Sequence, residues 1–219
     1  LKGVDDMGAG NAFAVGAWAE GYVDGVDGII RLPGVVLDLS NSAPKPNFTV
    51  GGYWVVECID SDGNLVWETT AENGVTNAGI NHLLNTEWAG GTQITSWYLG
   101  LIDGTTTPTL SPSDTMASHS GWSEHNSSDT SDANRILWGP TTSTALSLVN
   151  GTSCDYHMIP SSPVTIWGLF LVGGGTAANK GSSGSGDTLS ATAPFSTGPQ
   201  SCKNGDTLRS TYTMGGASN

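Results

Sequence analysis

Positive charge is scarce in this sequence: 7 Lys and Arg face 20 Asp and Glu among 219 residues, a formal net charge of −13 at pH 7. A surface of that sign repels nucleic-acid phosphates and anionic lipid headgroups, which disfavours sequence-independent binding to either. Charged residues of both signs make up only 12% of the chain, about half the usual share of roughly 25%. Long apolar runs are missing too. No window approaches the roughly 18 consecutive apolar residues of a membrane span. Lys2 is followed by Asp5 and Asp6 rather than by an apolar core, so neither a transmembrane helix nor a signal peptide is expected. Cysteine is limited to Cys58, Cys154 and Cys202, an odd number, far apart and without a CxxC pair. That pattern argues against a zinc site and for reduced, partly buried thiols, while the spacing leaves a Cys154 to Cys202 disulfide open.

Glycine, by contrast, is abundant at 31 residues, and with many Ser and Thr it gives an uncharged, turn-rich composition suited to β architecture. Residues 1–47 carry isolated apolar residues, among them Phe13, Trp18, Tyr22, Ile29, Ile30, Leu32 and Val36, punctuated by Gly and Asp without a sustained period. Alone, such a segment cannot bury enough area to offset its ordering entropy. It reads as an extended N-terminal arm docked on a partner subunit, with those seven residues as contacts. Packing onto the chain's own core is the alternative. Only 29–39, around Pro33-Gly34, reads as a short strand or strand pair, and 40–47, with Pro44 and Pro46, reads as a hinge.

Residues 48–219 read as a second domain. A β-hairpin is expected from Phe48 to Ile59 and Leu65 to Thr69 across the Asp60-Ser61-Asp62-Gly63-Asn64 turn. One short helix is expected after Thr76, with Ile80, Leu83, Leu84 and Trp88 recurring at spacings of three and four before Gly90-Gly91. Further strands are expected over 95–103, 133–138, 145–149, 154–159, 164–172, 188–195 and 207–214. The last alternates Leu208, Tyr212 and Met214 with Thr207, Arg209, Thr211 and Thr213, as in a sheet wet on one face. The fold class is therefore mainly β, a β-sandwich or jelly-roll-like double sheet. Two long connections, 104–132 and 173–187, read as mobile or contact-making loops.

Each chemical motif has a plainer account. Gly173-Gly174-Gly175-Thr176-Ala177-Ala178 matches a dinucleotide fingerprint in form. Yet no helix-forming sequence follows and no acidic residue lies about 20 positions on, so a flexible hairpin loop is expected. The Asp60 to Asn64 run resembles the opening of a calcium loop, but the distal ligand would fall in a returning strand, which favours a simple turn. His119, Glu124 and His125, with Asp114 and Ser118 nearby, supply acid–base residue types at spacings that fit neither HExxH nor GxSxG. His82 and His157 read as structural or surface residues. Three glycosylation sequons, at Asn47, Asn126 and Asn150, occur at about the chance frequency. The 8 tryptophans read mainly as core, with a sugar-stacking platform as the alternative, and Trp122 is the best candidate for an exposed contact. No catalytic residue, cofactor or metal is expected.

Three ordered segments carry a resemblance: Asn73-Gly74-Val75-Thr76-Asn77-Ala78-Gly79-Ile80-Asn81-His82-Leu83-Leu84, then Trp97-Tyr98-Leu99-Gly100-Leu101-Ile102-Asp103, then 114–124 from Asp114-Thr115-Met116 to Trp122-Ser123-Glu124. With the Trp54 to Trp67 hairpin and the closing Asn204 to Thr213 stretch, the chain over roughly residues 52 to 214 resembles small virion structural proteins of tailed bacteriophages, described as accessory head or tail proteins. The resemblance implies a non-enzymatic capsid decoration or cement protein on the outer surface of the virion. Its partner would be the major capsid protein, and it would be present as a homo-oligomer or in many copies, with no nucleic-acid or membrane partner. A tail, neck or baseplate subunit and a carbohydrate-binding module are the alternatives. His119 and Trp122 join the seven arm residues as expected partner contacts.

Overall fold

A computed structural model describes residues 12–14, 20–23, 29–32, 35–38, 48–104, 106–125, 129–141 and 145–218, with side chains from Thr49 to Gly216. The chain divides into two compact units, Leu1–Phe48 with Ser218–Asn219, and Thr49–Ala217. In the first, β1 (Ala12–Ala14), β2 (Glu20–Val23), β3 (Ile29–Leu32) and β4 (Val35–Asp38) pair in sequence order as an antiparallel sheet. Phe13 faces Gly21, Tyr22 faces Arg31, and Ile30 faces Leu37 in its register. The contact role expected for Phe13, Tyr22, Ile29, Ile30, Leu32 and Val36 rests on side chains outside the described residues, as does Trp18 altogether.

The second unit is mainly β, built from two antiparallel sheets and one helix. The hairpin of β5 (Phe48–Ile59) and β6 (Leu65–Glu72) is followed by β7 (Gly74–Val75), α1 (Asn77–Trp88), β8 (Trp97–Asp103) and β9 (Ser123–Glu124). Then come β10 (Ile136–Trp138), β11 (Ser147–Val149), β12 (Cys154–His157), β13 (Val164–Gly173), β14 (Thr188–Pro194), β15 (Gln200–Cys202) and β16 (Thr207–Ser218). The first sheet runs β10-β8-β13-β14-β7, with β9 extending the β8 edge and β15 pairing with β13. The second runs β11-β16-β5-β6, with β12 also on β16. Strands β7, β9 and β15 are two or three residues long, too short to show a period in the sequence.

Alternation decides which faces meet. Trp54, Val56 and Cys58 on β5 and Leu208 and Tyr212 on β16 point inward, onto Leu99, Leu101, Leu169 and Leu171 of the first sheet. Trp54 stacks on Tyr212 with ring centroids 4.1 Å apart, and Trp138 lies 5.3 Å from the same tyrosine. The first sheet is buried on both faces, because the intervening Phe170 and Val172 of β13 meet a second cluster with Ile102, Met116, Trp122, Ala177 and Leu189. That is why β13 reads as an unbroken apolar run rather than an alternating one.

Helix α1 starts where the sequence places it. Thr76 caps it, its hydroxyl accepting from the Gly79 N–H at 3.0 Å, while the Thr76 N–H bonds the Ser190 carbonyl at 3.0 Å. The helix lies on β14 through Gly79, where a Cβ would stand 2.6 Å from the Ser190 oxygen. No described helix is long and apolar enough to cross a membrane.

Candidate functional site

The two long connections converge on the outer face of the first sheet, and they are tied down. Within 104–132, Trp122 inserts into the second cluster at 6% exposure. Its indole N–H donates to Asp114 Oδ2 at 3.0 Å, and the same oxygen accepts from the Ser111 N–H at 3.0 Å. His119 is half-buried. Its ring stacks on Trp122 at 3.8 Å, and its Nδ1 donates to the Trp122 carbonyl at 3.1 Å. The expectation that Trp122 is an exposed contact is therefore overturned. The outer face of the sheet needs an apolar cover, and Trp122 supplies it, so the segment caps the sandwich.

The 173–187 connection is the hairpin expected between β13 and β14, but it is pinned by side chains rather than left free. Arg135, fully buried, forms two parallel bonds to Glu124, from Nε at 2.8 Å and Nη2 at 2.7 Å. It also donates to the carbonyls of Ala177 and Ser182 at 2.8 and 2.9 Å. Glu124 Oε2 in turn accepts from the Gly181 N–H at 2.7 Å. Lys180 reaches the Thr130 hydroxyl and the Asp132 carbonyl, 5.4 Å above the Tyr156 ring. Burial outweighs the nearby carboxylates of Asp132 and Glu124 and holds the Lys180 ammonium below its ordinary range. Asp187 closes the loop by accepting from the Thr176 N–H at 2.9 Å and its hydroxyl at 2.5 Å. Two carbonyls of the glycine-rich loop thus receive the Arg135 guanidinium, and the loop's own Lys180 reaches back to 130–132, an arrangement without the strand-turn-helix context that dinucleotide phosphates require.

The remaining candidates are accounted for in the same way. His125, almost fully buried, donates from Nδ1 to Asp103 Oδ2 at 2.9 Å, with Asp129 Oδ2 4.0 Å from Nε2. His82 packs edge-on against Trp97 at 5.6 Å, and His157, exposed on β12, lies 3.4 Å from Asp132. Asp60 Oδ1 accepts the N–H groups of Asp62 and Asn64 at 2.9 Å each, the hydrogen-bonded turn of a hairpin, and these bonds, that from Asn64 first, lower its pKa. No group of three or more metal-ligating residues is found among the described residues. The Asn150 sequon is spent internally: Nδ2 donates to the Thr152 carbonyl at 2.7 Å and Oδ1 accepts from the Tyr212 N–H at 2.7 Å. Asn47 and Asn126 lie outside the described residues.

Among the exposed apolar side chains of the described residues, three share one face of α1. Ile80, Leu84 and Trp88 are 40, 43 and 73% exposed, at a spacing of four that places them in a single stripe on α1. The sequence pattern groups them with Leu83 as one apolar face. Instead Gly79, with the half-buried His82, Leu83 and Thr86, seats the helix. The signal available in the sequence is Gly79 itself, since a helix with no side chain at one position can lie close on a sheet. Trp88 is the one exposed tryptophan among those described. No protein-family model and no curated protein matches the chain.

Proposed function

We propose that this chain is a non-enzymatic capsid decoration or cement protein of a tailed bacteriophage, binding the assembled head and bridging neighbouring capsid subunits. The observation that carries the reading is the exposed stripe of Ile80, Leu84 and Trp88. It stands on a helix already seated against the sandwich, so it is held rigid for contact with another protein. The reading is supported by the acid–base residues of 114–125, where Asp114, Glu124 and His125 are engaged in bonds that fix the loops. An acidic surface suits a position outside the shell, away from packaged DNA.

The mechanism is differential affinity. A subunit that binds the mature shell more tightly than any earlier or opened form stabilises that shell by mass action. A contact of about 800 Å² per partner, repeated over many copies, suffices for firm attachment. Particles assembled with and without the chain test this. Those lacking it are expected to release DNA at lower temperature and milder osmotic shock. Equal survival overturns the reading, and recovery of the chain in tail, neck or baseplate fractions instead of heads transfers the adhesive role to that alternative.

A further inference from the structure

Cys58 and Cys202 lie on opposite sheets and meet in the core. Cys58, on β5, faces the inter-sheet space at 0% exposure, and Cys202, at the end of β15, is 1% exposed in the same cluster. A side-chain hydrogen bond ties the hairpin to β15 at this point. Cys58 sits opposite Trp67 in the hairpin register, and the Trp67 indole N–H donates at 3.0 Å to the carbonyl of Ser201, next to Cys202. The Cys58 thiol lies close enough to be the first cause of the raised pKa of Cys202. Cys202 is held from its other side, since Lys203 N–H bonds Asp206 Oδ2 at 2.8 Å and Gly205 N–H bonds the Met158 carbonyl at 2.9 Å. Cys154 is buried in the same cluster, but on β12 and with its thiol directed at the Leu137 carbonyl at 3.6 Å. The pairing left open by the sequence, Cys154 with Cys202, is not the one the fold brings together.

We infer that Cys58 and Cys202 form a latent inter-sheet disulfide, a dithiol that a small-molecule disulfide such as oxidised glutathione converts into a cystine joining the two sheets, while Cys154 stays a thiol. One cysteine thiolate attacks a glutathione sulfur, breaking its S–S bond and releasing one glutathione thiolate. The second cysteine thiolate then attacks the protein-side sulfur of the mixed disulfide, forming the Cys58–Cys202 bond and expelling the second glutathione. Two electrons pass from the cysteines to the oxidant, and their two protons end on the two glutathiones. The Cys58 thiol, then burial and the nearby Asp206 carboxylate, hold the Cys202 thiol protonated far above its ordinary range. Exchange in the folded chain is therefore slow and proceeds through opening of the short β15 end.

The test uses the full chain in a series of oxidised-to-reduced glutathione ratios, once added to native protein and once during refolding from urea, where access is unrestricted. Samples are quenched in acid, denatured and alkylated. Two of the three thiols are expected to disappear together, with a Cys58–Cys202 cross-linked peptide and alkylated Cys154. The melting temperature should rise by on the order of 5–15 °C, because the bridge closes a very long loop, and dithiothreitol should reverse the rise. Cys154→Ser should keep the rise and Cys58→Ser should lose it. Three alkylatable thiols at every ratio in the refolded sample, glutathione adducts that never close, or a cross-link containing Cys154 overturns the inference, and the wild-type peptide map decides this without any variant.

Discussion

Glu124 and Arg135 meet through two parallel hydrogen bonds of 2.8 and 2.7 Å, the arginine side chain wholly buried and the glutamate 7% exposed. The guanidinium also lies 5.3 Å over the Phe170 ring, so one cation joins β9, the start of β10, the 173–187 connection and the second cluster. Removing either partner leaves a buried charge uncompensated, at a cost of about 3–5 kcal/mol. Arg135→Ala and Glu124→Ala should each lower the urea midpoint accordingly, and amide exchange across 173–187 should accelerate. The double replacement Arg135→Ala with Glu124→Ala should cost less than the two single losses added. Additive losses in a double-mutant cycle would show that the pair does not act as a unit.

Gly100 and Phe170 are opposite one another in the β8–β13 register, and a Cβ on Gly100 would stand 2.1 Å from the Phe170 Cζ. The ring lies across the space that glycine leaves empty. Gly100→Ala is expected to destabilise by about 1–3 kcal/mol, as overpacking in a filled core does. Gly186, where a Cβ would meet nothing within 4 Å, is the control. Gly186→Ala should be neutral or stabilising by up to about 1 kcal/mol through the unfolded chain. Chemical denaturation of the two variants checks the contrast.

These elements mark where the fold was legible. Strand β5 begins and ends at Phe48 and Ile59 as its residues suggest, and Thr76 announces the helix, because local hydrogen-bond chemistry and alternation act over a few residues. The pins were not legible. Arg135 and Glu124 are 11 positions apart and Lys180 lies 48 from Asp132, and no local spacing encodes a bond closed by topology. Trp122 failed as an exposed contact for the same reason. A tryptophan in a Ser- and Gly-rich loop looks solvent-facing until the sheet it covers is known to be apolar on both sides. The exposure of Ile80, Leu84 and Trp88 escaped the helical pattern because Gly79, not a large side chain, makes the close contact.

Cys154 sets an alkaline limit on stability. Burial, and after it the Asp155 carboxylate, pushes its thiol from 9.0 up to about 12. In the unfolded chain the thiol ionises near its ordinary value, so between about 9 and about 12 the unfolded state holds fewer protons than the folded one, and stability falls as pH rises. Below that window both states are protonated and the contribution is fully present. Tyr156 and Tyr212, also raised by burial, act in the same direction at higher pH. Urea midpoints at about pH 7.5 and about pH 10.5 should show a smaller alkaline loss in Cys154→Ala than in the parent. Equal losses would remove Cys154 as a cause.

The stripe on α1 allows attachment to be separated from folding. Trp88 is 73% exposed, whereas Ile80 and Leu84 are 40 and 43% exposed, so Trp88→Gln removes little buried area and Gln at 80 and 84 removes part of what those side chains cover, while Gln forms helix at least as well as Ile or Trp. Trp88→Gln alone should leave the melting temperature close to that of the parent, since exposed substitutions of this kind usually fall within about 0.5 kcal/mol, and the triple variant should lose about 1 kcal/mol more at each of the two half-covered positions. Attachment should behave differently. Burying a large apolar side chain in a contact contributes about 1.5–3 kcal/mol, so each loss should weaken binding roughly 10- to 100-fold, with Trp88 the largest. Co-sedimentation of the variant with particles lacking the chain measures this, and sedimentation velocity of the variant alone reports whether the same stripe joins copies of the chain. Full attachment together with unchanged self-association would mean that the stripe is not the adhesive surface, and the contact would then have to be made by another part of the chain.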